Sequence, residues 1–387
     1  MAETQGSRVR VAHVTTGLSD GGAEAVLYRL VRYDPGDEHH VFSLTTEGKY
    51  GALLREAGVE VTALGMPRGR LTTSGLMGLW RAVRRVRPDV VQTWMYHGDL
   101  IGGMVGRMLG LPVVWGIHNT VLTPKVSSLR TRLVAKTCGL LSTFVPARII
   151  TCSTRALEEA HASFGYKRER MVAIPNGVDV SVFCPDEVSR RNIRAGLQLG
   201  PHQPLVGMVA RFDPYKDHAN LFEAIKKLRA SCPDLVVALV GSGMTEANDT
   251  LCTLIKQKGL AACVRLMGPR LDIPAIMNAL DIHVLSSSAE SFGNVLIEAM
   301  ACGTPCVATD VGDAARIVGE TGWIVPPRDS AALAQAIFVA LTAHADRESW
   351  LRRQSACRAR IAEHFSIGAM VQRYRAVWRE AAGHGRV

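Results

Sequence analysis

Two short runs of this chain carry the residue types that could do chemistry on a phosphorylated ligand. The first is Ser286-Ser287-Ser288-Ala289-Glu290-Ser291-Phe292-Gly293-Asn294-Val295-Leu296-Ile297-Glu298, which continues through Ala299-Met300-Ala301-Cys302-Gly303-Thr304-Pro305. It follows a strand-like run and opens a helix-like one. Gly293 permits a ligand to approach the backbone closely. The free amides around Asn294 and Val295 would form the positive end of that helix, a ready site for an anion. Glu298 lies about one turn further in, where a carboxylate can accept two hydrogen bonds from the vicinal diol of a ribose. Glu290 precedes the turn, where it could hold sugar hydroxyls. An ordinary acidic helix start would also use glutamate, but two glutamates bracketing a strand–loop–helix junction favour a site.

The second run is Val209-Ala210-Arg211-Phe212-Asp213-Pro214-Tyr215-Lys216-Asp217. A nucleoside diphosphate leaving group needs its developing negative charge stabilised, by a metal or by fixed cations and dipoles. A metal route would usually show a D-x-D pair, and the sequence has none. Arg211 and Lys216, a planar fork and a point charge, are the candidate substitutes. No metal and no other cofactor is therefore expected. Two weaker signals lie in the first half. Thr15-Thr16-Gly17-Leu18-Ser19-Asp20-Gly21-Gly22-Ala23-Glu24 is a glycine-rich turn that fails the dinucleotide fingerprint G-x-G-x-x-G, and a plain strand-to-helix turn would explain it equally. His118 ends the run Val113-Val114-Trp115-Gly116-Ile117, at the end of a strand where functional residues gather in open sheets.

The elements that must position these residues alternate regularly. Strand-like runs at Val9–Val14, Val41–Leu44, Val59–Leu64, Val90–Thr93, Val113–Ile117 and Ile149–Cys152 are separated by helix-like segments such as Leu76–Arg87 and Gly98–Leu109. The pattern pauses around Pro175-Asn176-Gly177, Pro185, Gly200, Pro201 and Pro204, then restarts at Leu205–Ala210, Leu235–Val240, Val264–Met267, Ile282–Leu285 and Pro305–Thr309. Helices are predicted at about His218–Ala230, Ile273–Ala279 and Asn294–Ala301, and throughout the tail from Ser330. This order predicts parallel strands with helical crossovers in two domains: residues 1–180 and 205–365, joined by a linker at 181–204. A last helix at 366–387 is placed to cross back to the first domain.

The formal charge of +10 is unevenly shared, with a net of +7 on residues 1–180 and +3 on the rest. A basic first half suits a phosphate ligand, a membrane surface or nucleic acid. No aromatic-and-basic RNA motif, zinc finger or recognition helix is visible, so no nucleic-acid partner is expected. Leu76–Arg87 carries Leu76, Leu79, Trp80 and Val83 at helical spacing with four arginines elsewhere, and Arg130, Arg132 and Lys136 extend the basic patch. Such a stripe suits an anionic membrane surface, and equally a helix packed on a sheet with a solvated basic face. No apolar run reaches the roughly 18 residues of a membrane span, and the N-terminus lacks a signal-peptide core. Nine scattered cysteines without a C-x-x-C pair read as reduced thiols. A cytoplasmic protein is expected, and the basic stripe adds peripheral contact with the inner face of the membrane as a second expectation.

With these residues in place, the chain resembles the retaining glycosyltransferases of family four, from the loop at Gly21 to about Pro327. Their mark is two glutamates separated by seven residues, which Glu290 and Glu298 match inside ESFGNVLIEAMACGTPCVAT. The resemblance implies the GT-B fold, an α/β architecture of two Rossmann-like domains facing each other across a cleft. It implies that the first domain binds an acceptor and the second a nucleotide-sugar donor. By that pattern Glu298 binds the ribose and Glu290 the donor sugar. The Gly293–Val295 amides touch sugar or phosphate, with Phe292 in the same donor-binding run. Arg211 and Lys216 match an R-x(4)-K pair at the diphosphate, although Asp217 stands where the family usually has glycine. Gly21 and Gly22 match a GG-x-E loop beside the diphosphate, and His118 a histidine near the donor sugar. Arg270, in Gly268-Pro269-Arg270, falls where the family cradles the nucleobase. Asn176-Gly177-Val178-Asp179 resembles a structural turn. Catalytic roles thus fall on His118, Glu290, Arg211 and Lys216. By the family's habit the donor is a UDP-sugar, with GDP open, and the acceptor a glycan, a lipid-linked saccharide or a small molecule. The alternatives are a same-fold epimerase or phosphorylase, with the glutamate pair speaking against the first and the chain length against the second, and a nucleic-acid-binding protein, prompted by the charge of +10.

Overall fold

A computed structural model describes residues 8–19, 21–67, 69–119, 127–200 and 202–384. Asp20 of the glycine-rich turn, Pro201, and the last three residues of the C-terminal segment lie outside them. The chain divides into two compact units, residues 1–176 with 367–387, and residues 177–366.

In the first unit, seven strands among the described residues form one parallel sheet. They are β1 (Arg10–Thr15), β2 (Glu38–Ser43), β3 (Glu60–Ala63), β4 (Val90–Trp94), β5 (Val113–Ile117), β6 (Arg148–Thr151) and β7 (Met171–Ala173), in the order β3-β2-β1-β4-β5-β6-β7. The order reverses between β1 and β4. Strands β4 and β5 are buried along their whole length; β5 therefore reads as a continuous apolar run rather than an alternating one, while β4 carries buried Gln92 and Thr93, which are hydrogen-bonded to Trp378 and Asp99. β7, three residues at the sheet edge, has too short a pattern to be visible in the sequence.

The helix Met95–Met108 returns from β4 across the sheet, and its glycines let it lie close. A Cβ added at Gly98 would sit 2.9 Å from the carbonyl oxygen of Val14, and one at Gly102 2.8 Å from the Val14 side chain. The helix Thr73–Val86 starts at Thr72, whose hydroxyl accepts the amide of Gly75, a standard N-cap. Its expected apolar stripe faces inward: Leu79 and Val83 are fully buried in the core between sheet and helix. Arg81, Arg84, Arg85 and Arg87 stay exposed. Leu76 and Trp80 of the same stripe are half-buried.

The last helix, Ile367–His384, belongs to the first unit. Met370, Tyr374 and Trp378 join its core. The Trp378 indole donates to Gln92 Oε1 (2.9 Å), and Arg375 Nε lies 3.0 Å from Asp37 and 3.2 Å from Asp34.

In the second unit, six strands among the described residues make another parallel sheet: β8 (Leu205–Val209), β9 (Val236–Val240), β10 (Val264–Gly268), β11 (Ile282–Leu285), β12 (Cys306–Thr309) and β13 (Trp323–Val325). Their order is β10-β9-β8-β11-β12-β13, reversing between β8 and β11. The expected linker 181–204 is not a bare connection. It holds the helix Glu187–Gly196, capped by Asp186 and tied into the second unit: Arg190 and Arg194 both bind the buried Asp281 carboxylate. Its proline and glycine punctuation is real, but the amphipathic turns between them bury two arginine stems, so the chain leaves the first unit at Asn176 instead.

Candidate active site

The two runs singled out by chemistry emerge from adjacent strands. Arg211–Lys216 follows β8, and Ser286–Gly293 follows β11. In open parallel sheets the crevice at the carboxyl ends of the strands, where the order reverses, is where ligands bind, and β8 and β11 flank that reversal.

Hydrogen bonds stitch the β8 loop on both sides. The Phe212 amide donates to the Ser242 carbonyl (2.8 Å) in the loop after β9, and the Ser288 amide donates to the Tyr215 carbonyl (2.7 Å) in the loop after β11. The Ser286 hydroxyl donates to the Lys216 carbonyl (2.9 Å). Gly241 has a left-handed φ of 139°, and a Cβ there would lie 2.2 Å from the Ala210 carbonyl oxygen.

The stitching brings Lys216 onto Glu290. Lys216 Nζ lies 2.5 Å from Glu290 Oε1, which also accepts the Ser287 hydroxyl at 2.7 Å. Their side chains are only 21% and 13% exposed, so the pair is sheltered and its attraction little screened by salt. Gly312 packs on the far side, where a Cβ would come within 3.0 Å of the Glu290 carbonyl. Neither Ser287 nor Gly312 was legible as a site residue, because the contacts that give them that role come from folding.

Asp217 stands at φ 49°, ψ 55°, in the left-handed region. A glycine takes this conformation freely, and aspartate is among the few other residues that tolerate it. Here it also caps the helix His218–Leu228, accepting the Asn220 amide at 3.2 Å. The departure from the family's glycine thus leaves the turn in a glycine-like shape.

Gly293, at φ 107°, is the N-cap of the helix Asn294–Ala301 and turns the chain into it. Asn294, Val295 and Glu298 are half-buried, with Glu298 one turn in. Phe292, in the run expected to bind donor, is buried, its ring 6.1 Å from that of Phe365. Arg211 is 69% exposed and reaches Asp213 (3.3 Å). Arg270 is held by Asp272 in a fork of 2.8 and 2.6 Å. The structure therefore joins Lys216 with Glu290, and sets Arg211 and Arg270 on carboxylates of their own loops.

In the first unit, Gly21 caps the helix Gly22–Arg32 after β1, and space around Gly22 is open. His118 follows β5. Its ring stacks on Trp94 (centroids 4.9 Å apart, planes 20° apart), and its Nε2 lies 3.4 Å from the Tyr374 hydroxyl of the last helix. Nδ1 is buried without a hydrogen-bond partner among the described residues. Burial pushes its pKa down to about 4, so the ring is neutral near pH 7. On the helix Met95–Met108, burial lifts the Asp99 carboxyl to about 7; its Oδ1 accepts the Thr93 hydroxyl (2.6 Å) and the Gly116 amide (3.3 Å). Among the described residues, no three His, Cys, Asp or Glu side chains gather in a way that could hold a metal ion. No helix of the described residues is long and apolar enough to cross a membrane.

Two parallel-sheet units of this strand order, with their glycine turns at the reversal points, make the GT-B architecture of glycosyltransferases. Anabaena HepE, solved in complex with UDP, has the same fold, with a TM-score of 0.83 over 96% of this chain and all of that one at 23% identity. The model described as Glycosyltransferase Family 4 matches residues 20–182, and the one described as Glycosyl transferases group 1 matches residues 203–343. D-inositol 3-phosphate glycosyltransferase 1 of Catenulispora acidiphila is 30% identical over 319 residues, 77% of this chain and 73% of that protein. The 2-deoxystreptamine N-acetyl-D-glucosaminyltransferase of Streptomyces fradiae is 28% identical over 83% of each chain. The chain belongs to the family-four glycosyltransferases.

Proposed function

We propose that this enzyme transfers a hexose from a UDP-sugar with retention of configuration, without a metal, to a saccharide acceptor of a polysaccharide or lipid-linked precursor. The carrying observation is the sheltered Lys216–Glu290 pair at the β8/β11 reversal, beside the glycine-capped start of the helix Asn294–Ala301. In this reading the second unit binds the donor. Glu298 holds the ribose diol, the amides at Gly293–Val295 and the ammonium of Lys216 take the diphosphate, and Arg211 swings from Asp213 to join them. Fixed cations and a helix N-terminus then do what a divalent ion does elsewhere. Glu290 holds hydroxyls of the sugar. Its Oε1 is occupied by Lys216 and Ser287, which suits a hydrogen-bonding role better than nucleophilic attack. Retention then follows from attack on the same face as the departing phosphate. The first unit binds the acceptor, with His118, Gly21 and Gly22 as its contribution to sugar transfer. HepE, crystallised with UDP and with UDP-glucose, supports the choice of uridine.

The test is turnover of a panel of UDP- and GDP-sugars, with the anomeric configuration of the product read by NMR. Lys216→Ala is expected to lower kcat by about 10²–10³-fold, the usual cost of one preorganised charge-stabilising group. Glu298→Ala should chiefly raise the KM for the donor, and EDTA should leave the rate unchanged. If both variants turn over at the parental rate, the assignment of the site is wrong.

A further inference from the structure

The outward face of the helix Leu129–Leu141 has the wrong character for water. Its inner face is firmly docked: Ala135, Cys138 and Gly139 are buried, and a Cβ at Gly139 would lie 1.8 Å from the Phe164 carbonyl oxygen. Loose packing therefore does not explain what faces out. Leu129, Leu133 and Leu140 on the helix, with Phe144 just beyond it, are 64–78% exposed. The neighbouring helix Met95–Met108 adds exposed Met104 and Met108. Four large apolar side chains along one short outer stripe mark an interaction surface, since scattered single residues are the norm.

The charge around the stripe identifies its partner. From Asp99 to Glu158 the chain has no acidic residue in between and seven Lys or Arg. Exposed Arg130 and Lys136 lie on the same helix, and exposed Arg107 ends the neighbouring one. A second copy docked face to face would set Arg130 and Lys136 against their own kind, and the exposed carboxylates of the adjoining helix Thr154–Phe164 are already engaged, Glu158 by Arg168 (3.0 Å) and Glu159 by the Ser163 hydroxyl (2.6 Å). A bilayer with anionic headgroups answers both features: its acyl boundary takes the leucines and the phenylalanine, and its phosphates take the cations.

We propose that the face carried by Leu129, Leu133, Leu140 and Phe144 docks the first unit onto an anionic lipid bilayer. The surface differs from the one its sequence suggested, since the helix Thr73–Val86 buries Leu79 and Val83 in the core and leaves Leu76 and Trp80 half-buried. The proposal holds whatever sugar is transferred.

Co-sedimentation with vesicles of phosphatidylcholine, alone or mixed with phosphatidylglycerol, tests it on the full chain. Parent protein is expected to bind the mixed vesicles and to release in high salt. Leu133→Asn with Leu140→Asn, and separately Arg130→Glu with Lys136→Glu, should each weaken binding by about tenfold or more. Both pairs are exposed, so the melting temperature should stay at the parental value, and turnover of a water-soluble acceptor should persist. Parent binding that ignores phosphatidylglycerol, or binding unchanged in either pair, overturns the proposal. So does self-association in sedimentation velocity that the leucine pair abolishes, which would make the face a contact between copies.

Discussion

Asp217 offers a sharp test of how the donor loop is held, because one residue performs two separable tasks. It occupies a left-handed conformation at φ 49° and it caps the helix His218–Leu228. Asp217→Gly keeps the conformation without strain and loses the side-chain cap, at a cost of a few tenths of a kcal/mol when glycine is the replacement. Greater freedom of the unfolded chain adds about 0.4–1 kcal/mol, and relief of the left-handed strain offsets much of that. The net change should be within about 1 kcal/mol. Asp217→Ala loses the cap, about 1 kcal/mol, and forces a Cβ into the left-handed region without a polar side chain to soften it, about 1 kcal/mol more. The sum, about 2 kcal/mol, corresponds to a fall of about 4–8 °C for a unit of this size. Scanning calorimetry reads that difference directly. Alanine should also weaken UDP binding, because the strained residue follows Lys216 and would pull it from Glu290. If alanine and glycine melt together, with UDP affinities alike, the left-handed turn does not position the lysine.

Two further outcomes follow from burial. Burial pushes His283 down to about 3 and His218 down to about 4. The unfolded chain takes up their protons first as pH falls below about 6.5, so stability is complete above that value and declines toward about 3–4. His283→Leu should flatten the acid limb of urea-midpoint stability by about 1.4 kcal/mol per pH unit across that window; an unchanged limb would place the proton uptake elsewhere. Gly102→Val should destabilise the first unit by about 1–3 kcal/mol in thermal melts, since its Cβ would already crowd Val14 and overpacking carries that cost. A neutral result would mean that the helix Met95–Met108 can lift off the sheet freely.

The sequence alone determined the alternation of strands and crossovers, and the helices Ile273–Ala279 and Asn294–Ala301 to the residue. It also marked Glu290, Glu298 and Lys216 as chemical residues. These are local matters: periodicity, capping and side-chain chemistry are written in neighbouring positions. Only the tertiary structure decided that Lys216 sits on Glu290, because strand order placed β8 beside β11 although more than 70 residues separate them. It packed Phe292 beside Phe365 and tied the helix Glu187–Gly196 of 181–204 into the second unit. It also buried Leu79 and Val83 of the helix Thr73–Val86 while exposing Leu129, Leu133 and Leu140 of Leu129–Leu141. An amphipathic pattern says that a helix has an apolar side; what that side meets depends on which sheet and which neighbours the whole chain brings to it.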